Sequence, residues 1–171
     1  MRLPARYIAS ILAALVFNEC ASFPLFAASV NASVNASTLK PLVITKLQDL
    51  DLGSVTLGPG IWSNATVSLS RAGIFTCGTV NVTCTGASLV AKYNVQGSNQ
   101  QSVNISAPNV TLVNQSDATK TLTLVVDAPA SVVLPNSGQP GIDISLGGSV
   151  TINSNTAAGT YRGTFNVTVD Y

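Results

Sequence analysis

A sandwich of antiparallel β-strands is the fold class this sequence predicts, and three observations predict it. Beyond about residue 40, apolar residues recur at every second position in short runs, the spacing of strands with one buried face. Turn-forming groups such as Gly58-Pro59-Gly60, Arg71-Ala72-Gly73, Gly97-Ser98-Asn99 and Pro135-Asn136-Ser137-Gly138 interrupt these runs about every eight to twelve residues, the rhythm of sandwiches and barrels. No window past the N-terminal region sustains apolar residues at i, i+3 and i+4, and the abundant Val, Thr, Ser, Asn and Gly are poor helix-interior residues.

The elements follow in order. Strands are predicted over residues 42–47 and 50–57, where Leu and Val alternate with polar residues up to the Gly58-Pro59-Gly60 turn. Residues 66–70 form the next, closed by Arg71-Ala72-Gly73, and residues 80–83 another, between Cys77 and Cys84. Residues 89–95 run to the Gly97-Ser98-Asn99 turn. Residues 102–107 and 110–113 flank Ala107-Pro108-Asn109. Residues 121–127 and 131–134 precede the Pro135–Gly138 turn; 142–146 and 149–153 are read as two strands separated by a turn at Gly147-Gly148. Residues 153–158 hold one helical turn at most. The closing strand, 161–171, is the best patterned: Phe165, Val167, Val169 and Tyr171 fall on one side, Thr164, Asn166, Thr168 and Asp170 on the other. A long strand with one apolar face at the end of a chain must lie inside a sheet or be covered by a partner, because an unpaired edge of that kind invites aggregation. Such a feature belongs to an assembly or surface protein.

The N-terminus reads as a secretory signal peptide over residues 1–29, with cleavage between 22 and 32. Arg2 and Arg6 make a basic start, Ile8–Phe17 is the apolar stretch, and small residues gather around Ala27, Ala28, Ser29 and Ala32. The stretch falls short of the roughly 20 residues that span a bilayer, and no later segment is long and apolar enough to do so as a helix. Removing the leader leaves six basic and six acidic residues. Only 9% of the chain is charged, so nucleic acid, which requires clustered Lys and Arg, is not an expected partner. Cys20 leaves with the leader, and Cys77 and Cys84 remain as an even pair in an oxidising compartment. They are expected to form a disulfide that staples a hairpin or tight loop. Two thiols with no His in the chain do not complete a zinc site.

Catalysis lacks material. The chain has no His, the usual base near neutral pH, and Asp49, Asp51, Asp117, Asp127, Asp143 and Asp170 are scattered. Asp49 and Asp51 share a predicted strand face, the sole pairing suggestive of a cation; a solvated pair is the plainer reading. No phosphate-binding loop or nucleophile elbow occurs. Neither an enzyme nor a cofactor is expected. Asn-x-Ser/Thr triplets start at Asn31, Asn35, Asn64, Asn81, Asn104, Asn109, Asn114 and Asn166. They mark glycan acceptors in a eukaryotic secreted chain and are the chance product of polar strand faces otherwise, and the placement of Asn166 within a predicted strand favours chance. Trp62, Tyr93 and Tyr161 suit either a sugar-stacking platform or the core. Residues 30–40 form an N-terminal extension ahead of the domain at 41–171. In it Val30, Ala32, Val34 and Ala36 face one way and Asn31, Ser33, Asn35 and Ser37 the other. This is either a flexible leader remnant or a donor strand that completes another copy's sheet.

Leu50-Asp51-Leu52-Gly53-Ser54-Val55, Tyr93-Asn94-Val95-Gln96-Gly97, Gly147-Gly148-Ser149-Val150 and the closing Gly159-Thr160-Tyr161-Arg162-Gly163-Thr164-Phe165-Asn166-Val167-Thr168-Val169 together resemble the bacterial secreted family called domain of unknown function 4402. The likeness spans about residues 40–171, with Leu52 where the family often has Phe. More distantly, the alternating C-terminal strand ending in Tyr171 resembles the pilins of chaperone–usher fimbriae. That resemblance implies an immunoglobulin-like, pilin-like sandwich lacking one strand. Phe165, Val167, Val169 and Tyr171 would face a periplasmic chaperone, an outer-membrane usher would assemble the fibre, and Val30, Ala32, Val34 and Ala36 would be the donor residues. The expected function is a structural subunit of a bacterial surface fibre or adhesive appendage, exported through the inner membrane to the periplasm and then the surface. The alternative is a self-sufficient secreted or surface-attached module that binds glycan or matrix.

Overall fold

A computed structural model of the chain describes residues 29–78 and 80–171. The predicted signal peptide lies, except for Ser29, outside the described residues. Residues 29–42 carry no regular secondary structure, and the side chains of Val30 and Val34 are exposed. The folded unit runs from Ser37 to Tyr171, and every element described in it is a strand.

The strands are β1 (Val43–Gln48), β2 (Ser54–Leu57), β3 (Ala65–Leu69), β4 (Phe75–Cys77), β5 (Val82–Thr85), β6 (Ala91–Gln96), β7 (Ser102–Ser106), β8 (Val110–Asn114), β9 (Thr121–Asp127), β10 (Ser131–Val133), β11 (Ile142–Ile152), β12 (Tyr161–Arg162) and β13 (Thr168–Asp170). Eight of them join one sheet in the order β1-β6-β11-β9-β8-β12, with β3 pairing β11 and β4 pairing β3. Opposite lie two smaller sheets, β10-β7-β13 and β2-β5. All the pairings are antiparallel. The arrangement is a sandwich, as the alternation requires: each strand has one apolar face and must bury it against a second layer.

The long strand β11 sets the plan. Its first half, Ile142–Leu146, pairs with β6; its second half pairs with β9 on Gly147–Val150 and with β3 on Gly148–Ile152. Ile144, Leu146, Val150 and Ile152 are all buried and share one face. That face feeds two core clusters. In the first, Ile144 and Leu146 meet Ala91 and Val95 of β6 and Val103, Ile105 and Leu134 from the β7 side. In the second, Val150 and Ile152 meet Ala65, Val67, Leu124 and Val82. Leu50, Val126 and Phe165 pack against both, so the two clusters form one continuous interior.

Three local expectations are corrected. Gly147-Gly148 is not a turn: β11 runs straight through it. A Cβ on Gly147 would collide with the backbone carbonyl of Leu69, and one on Gly148 would come within 2.8 Å of Leu124 Cδ1, so these glycines permit close approach of neighbouring strands. The strand expected over 50–57 is confined to β2. Asp51 makes a single bridge to Leu89, and Gly53 has φ +73 with its N–H held by Asp51 Oδ1 at 2.8 Å, which breaks the strand before Ser54. The closing strand is divided into β12 and β13. The sequence reading missed β4, though Phe75 and Cys77 alternate between Gly73 and Gly78. Asn153–Ala158 forms a tight turn held by Asn153 Oδ1 and Thr156 Oγ1 and no helix.

Candidate functional site

The division of the closing segment places its two halves in different sheets. Tyr161 and Arg162 pair with Asn114 and Val113 of β8 in the large sheet, whereas Thr168, Val169 and Asp170 pair with Ser106, Ile105 and Asn104 of β7 in the opposite layer. Between them the chain crosses the sandwich. Gly163 lies so close to β8 that a Cβ there would be 2.9 Å from Leu112 Cδ2 and from the Thr111 carbonyl; Phe165 then turns into the interior and touches both clusters. Pairing with two layers in succession is what interrupts the strand, and it leaves Asn166 exposed in an irregular stretch.

Phe165, Val167, Val169 and Tyr171 keep the predicted period-2 placement: each is half-buried and packs on the first core cluster, while Thr164, Asn166, Thr168 and Asp170 are exposed. β13 is a terminal strand of its sheet. β7 occupies one side, and no strand among the described residues pairs with the other. β13 is therefore an edge strand.

The end of β13 is fastened by three hydrogen bonds. The Tyr171 hydroxyl donates to the Lys40 carbonyl at 2.6 Å and accepts from the Ser98 N–H at 2.8 Å. The Lys40 N–H donates to Ser98 Oγ at 2.6 Å. Gly97 makes room for this clasp: a Cβ on it would fall 2.5 Å from Tyr171 Oη, 2.7 Å from Leu134 Cδ1 and 2.8 Å from Leu42 Cδ2. Residues 131 positions apart in sequence are thereby joined, and the point from which the N-terminal extension departs is held beside the end of β13. The pattern of the sequence contained no signal for this contact, although it singled out both Gly97 and Tyr171. Val30, Ala32, Val34 and Ala36, expected from the pilin resemblance to be donor residues, are exposed and belong to no strand.

Cys77 and Cys84 are bonded, with their Cα atoms 5.9 Å apart. Cys77 ends β4 of the large sheet and Cys84 lies in β5 of a small one, so the bond ties two sheets together and does not staple one hairpin. The remaining candidates disperse. Trp62 packs on the second cluster, Tyr93 on the first and Tyr161 on neither, its hydroxyl donating to the Ala157 carbonyl at 2.8 Å. They do not form a stacking platform. The Asp49 carboxylate accepts from the Lys46 ammonium at 2.8 Å, and this hydrogen bond raises the lysine's pKa; Asp51 is engaged by Gly53. Among the described residues no group of three or more His, Cys, Asp or Glu is placed to hold a metal ion, and no helix is long and apolar enough to cross a membrane. Asn114, one of the eight triplet asparagines, is 2% exposed; its amide donates to the Ala158 carbonyl and its oxygen accepts from the Ser116 and Asp117 N–H groups. It builds the β8–β9 turn and is closed to a glycan in the folded state.

A family model described as Domain of unknown function (DUF4402) matches residues 42–171. No curated protein and no solved structure matches the chain.

Proposed function

We propose that this chain, which belongs to the DUF4402 family over residues 42–171, is a structural subunit of a bacterial surface fibre or adhesive appendage, assembled by strand addition. The observation that carries the reading is the edge of β13, open on one side, in a chain whose extension alternates Val and Ala with Asn and Ser and is exposed. The extension of one copy, through Val30, Ala32, Val34 and Ala36, pairs with β13 of the next. Backbone hydrogen bonds supply the affinity. Export precedes assembly: the leader directs the chain out of the cytoplasm, and the disulfide fits an oxidising compartment. A periplasmic chaperone and an outer-membrane usher are the partners this route calls for. The subunit has no chemistry of its own.

One observation favours a second reading. Phe165, Val167, Val169 and Tyr171 already pack on the chain's own core, as in a self-sufficient surface module that binds glycan or matrix without polymerising. Deleting Val30–Ser37 separates the two. Under strand addition the variant is a folded, soluble monomer that forms no fibres, because only the donor is lost. Normal surface fibres from the deletion variant would rule out the extension as the donor, and a wild-type protein that stays monomeric at the cell surface would leave the self-sufficient module as the answer.

A further inference from the structure

β7 divides its backbone bonds between two neighbours, and the division fixes which groups of β13 point outward. On the β10 side, the Ile105 N–H donates to the Ala130 carbonyl at 2.9 Å, and the Leu134 N–H donates to the Gln101 carbonyl at 2.9 Å. Bonded and non-bonded residues alternate along an antiparallel ladder, so Val103 and Ile105 turn toward β10 and Asn104 and Ser106 toward β13. Asn104 stands opposite Asp170, and Ser106 opposite Thr168. Thr168 and Asp170 therefore engage β7 with their backbone groups, and the N–H and C=O of Val169 point out of the edge. One residue further, the alternation turns the Tyr171 N–H to the same outer side. That N–H is already held: it donates to Asp170 Oδ1 at 3.0 Å.

Other edges carry obstacles of a different kind. β1 has a bulge between Lys46 and Gln48 and an ion pair from Lys46 to Asp49. β10 lies between Pro129 and Pro135. With Ala130 and Leu134 bonded toward β7, both prolines fall on the outward set, where each lacks an N–H. Bulges, charges and prolines are means of blunting an edge, and a bulge or a proline is fixed in the backbone. At β13 the obstacle is one exposed side chain, which a rotation removes.

We propose that an incoming strand bonds to β13 through Val169 and Tyr171, and that Asp170 is a removable guard which this strand displaces. The occupant is the extension of a second copy, and to that extent the inference rests on the strand-addition reading. Residues 30–36 contain no proline and no charge, so every N–H of the segment can enter a ladder, and the amides of Asn31 and Asn35 offer new donors to the displaced carboxylate. A strand that meets only Val169 gains the bonds of one residue. A strand that displaces Asp170 gains the Tyr171 N–H as well.

The test uses the exported protein, purified as a monomer, and a fluorescent peptide of residues 30–37. In the monomer, the Tyr171 amide should exchange with solvent more slowly in wild type and Asp170→Asn, whose amide oxygen still accepts, than in Asp170→Ala. Asp170→Ala should take up the peptide about two- to tenfold faster than wild type, the factor for releasing one such hydrogen bond, with Asp170→Asn near wild type. Uptake should protect the Val169 and Tyr171 amides from exchange and leave those of Thr168 and Asp170 unchanged. Equal Tyr171 exchange in wild type and Asp170→Ala, equal uptake rates, Asp170→Asn as fast as Asp170→Ala, or protection appearing on Ser131 and Val133 of β10 would each overturn the inference while leaving strand addition standing. Absence of uptake by every variant would instead overturn strand addition by this segment, and the inference with it.

Discussion

Tyr171 shows how one polar atom fastens a fold. Its hydroxyl bridges the Lys40 carbonyl and the Ser98 N–H, and Ser98 is 8% exposed, so water does not readily replace the lost partner. Tyr171→Phe should therefore cost about 1–3 kcal/mol, the range for leaving a buried donor unsatisfied, seen as a lower urea midpoint with an unchanged slope. A loss near zero would mean that the clasp is not formed in solution. Asp117 offers a second test. Hydrogen bonds from the Thr119 hydroxyl and the Thr119 N–H, with Lys120 nearby, hold its carboxyl below the ordinary aspartate range. A depressed folded-state pKa stabilises the turn above the unfolded-state value near 3.8, and that contribution is lost as pH falls through the folded-state value. Thr119→Val should raise the Asp117 titration midpoint, as followed by carboxyl NMR shifts. Part of this was visible in the sequence, since Tyr171 and Gly97 stood in recognisable strand and turn patterns. Their partners were not, because a pattern names a residue's face and not the atom opposite it.

At the scale of elements, the disulfide and β11 carry the main lesson. Cysteine parity and export pointed to the Cys77–Cys84 bond, and the bond is present; that it joins β4 of one sheet to β5 of another could be known only from the pairing of those strands. Replacing both by Ser should lower stability by about 2.5 kcal/mol at most, the chain-entropy estimate for so short a ring. Intact-mass measurement should show the native chain two hydrogens lighter than its reduced form. Two free thiols in exported protein would contradict the structure. Gly147-Gly148 misled for a definite reason. A glycine pair marks a turn in most local contexts, but here the missing side chains admit the backbone of Leu69–Arg71, a tertiary demand that leaves the same letters in the sequence.

For the whole molecule, the balance lies between a closed core and an open edge. The apolar face of the closing segment lies on the interior, and its backbone is paired on one side only. Changing Val167 and Val169 together to polar residues should thus injure the domain itself and its assembly. We expect depletion of the protein from the periplasm, measured by fractionation and immunoblot, since an edge with a weakened core aggregates or is degraded. The deletion of Val30–Ser37 should have no such effect on abundance. If both variants accumulate normally, the closing segment is dispensable to folding and export alike.

The all-β class, the two cysteines to be joined and the inward set Phe165, Val167, Val169 and Tyr171 were legible in the sequence. These follow from period, composition and spacing, which one segment of chain carries alone. That residues 161–171 serve two layers, that β11 passes unbroken between two core clusters, that Asn114 is a buried turn-builder and that Tyr171 clasps Lys40 came from the folded chain alone. Each of those is a choice of partner among segments far apart in the chain. Alternation fixes which side of a strand is apolar, and every strand with that alternation satisfies it equally. The choice among them is made by packing and backbone approach.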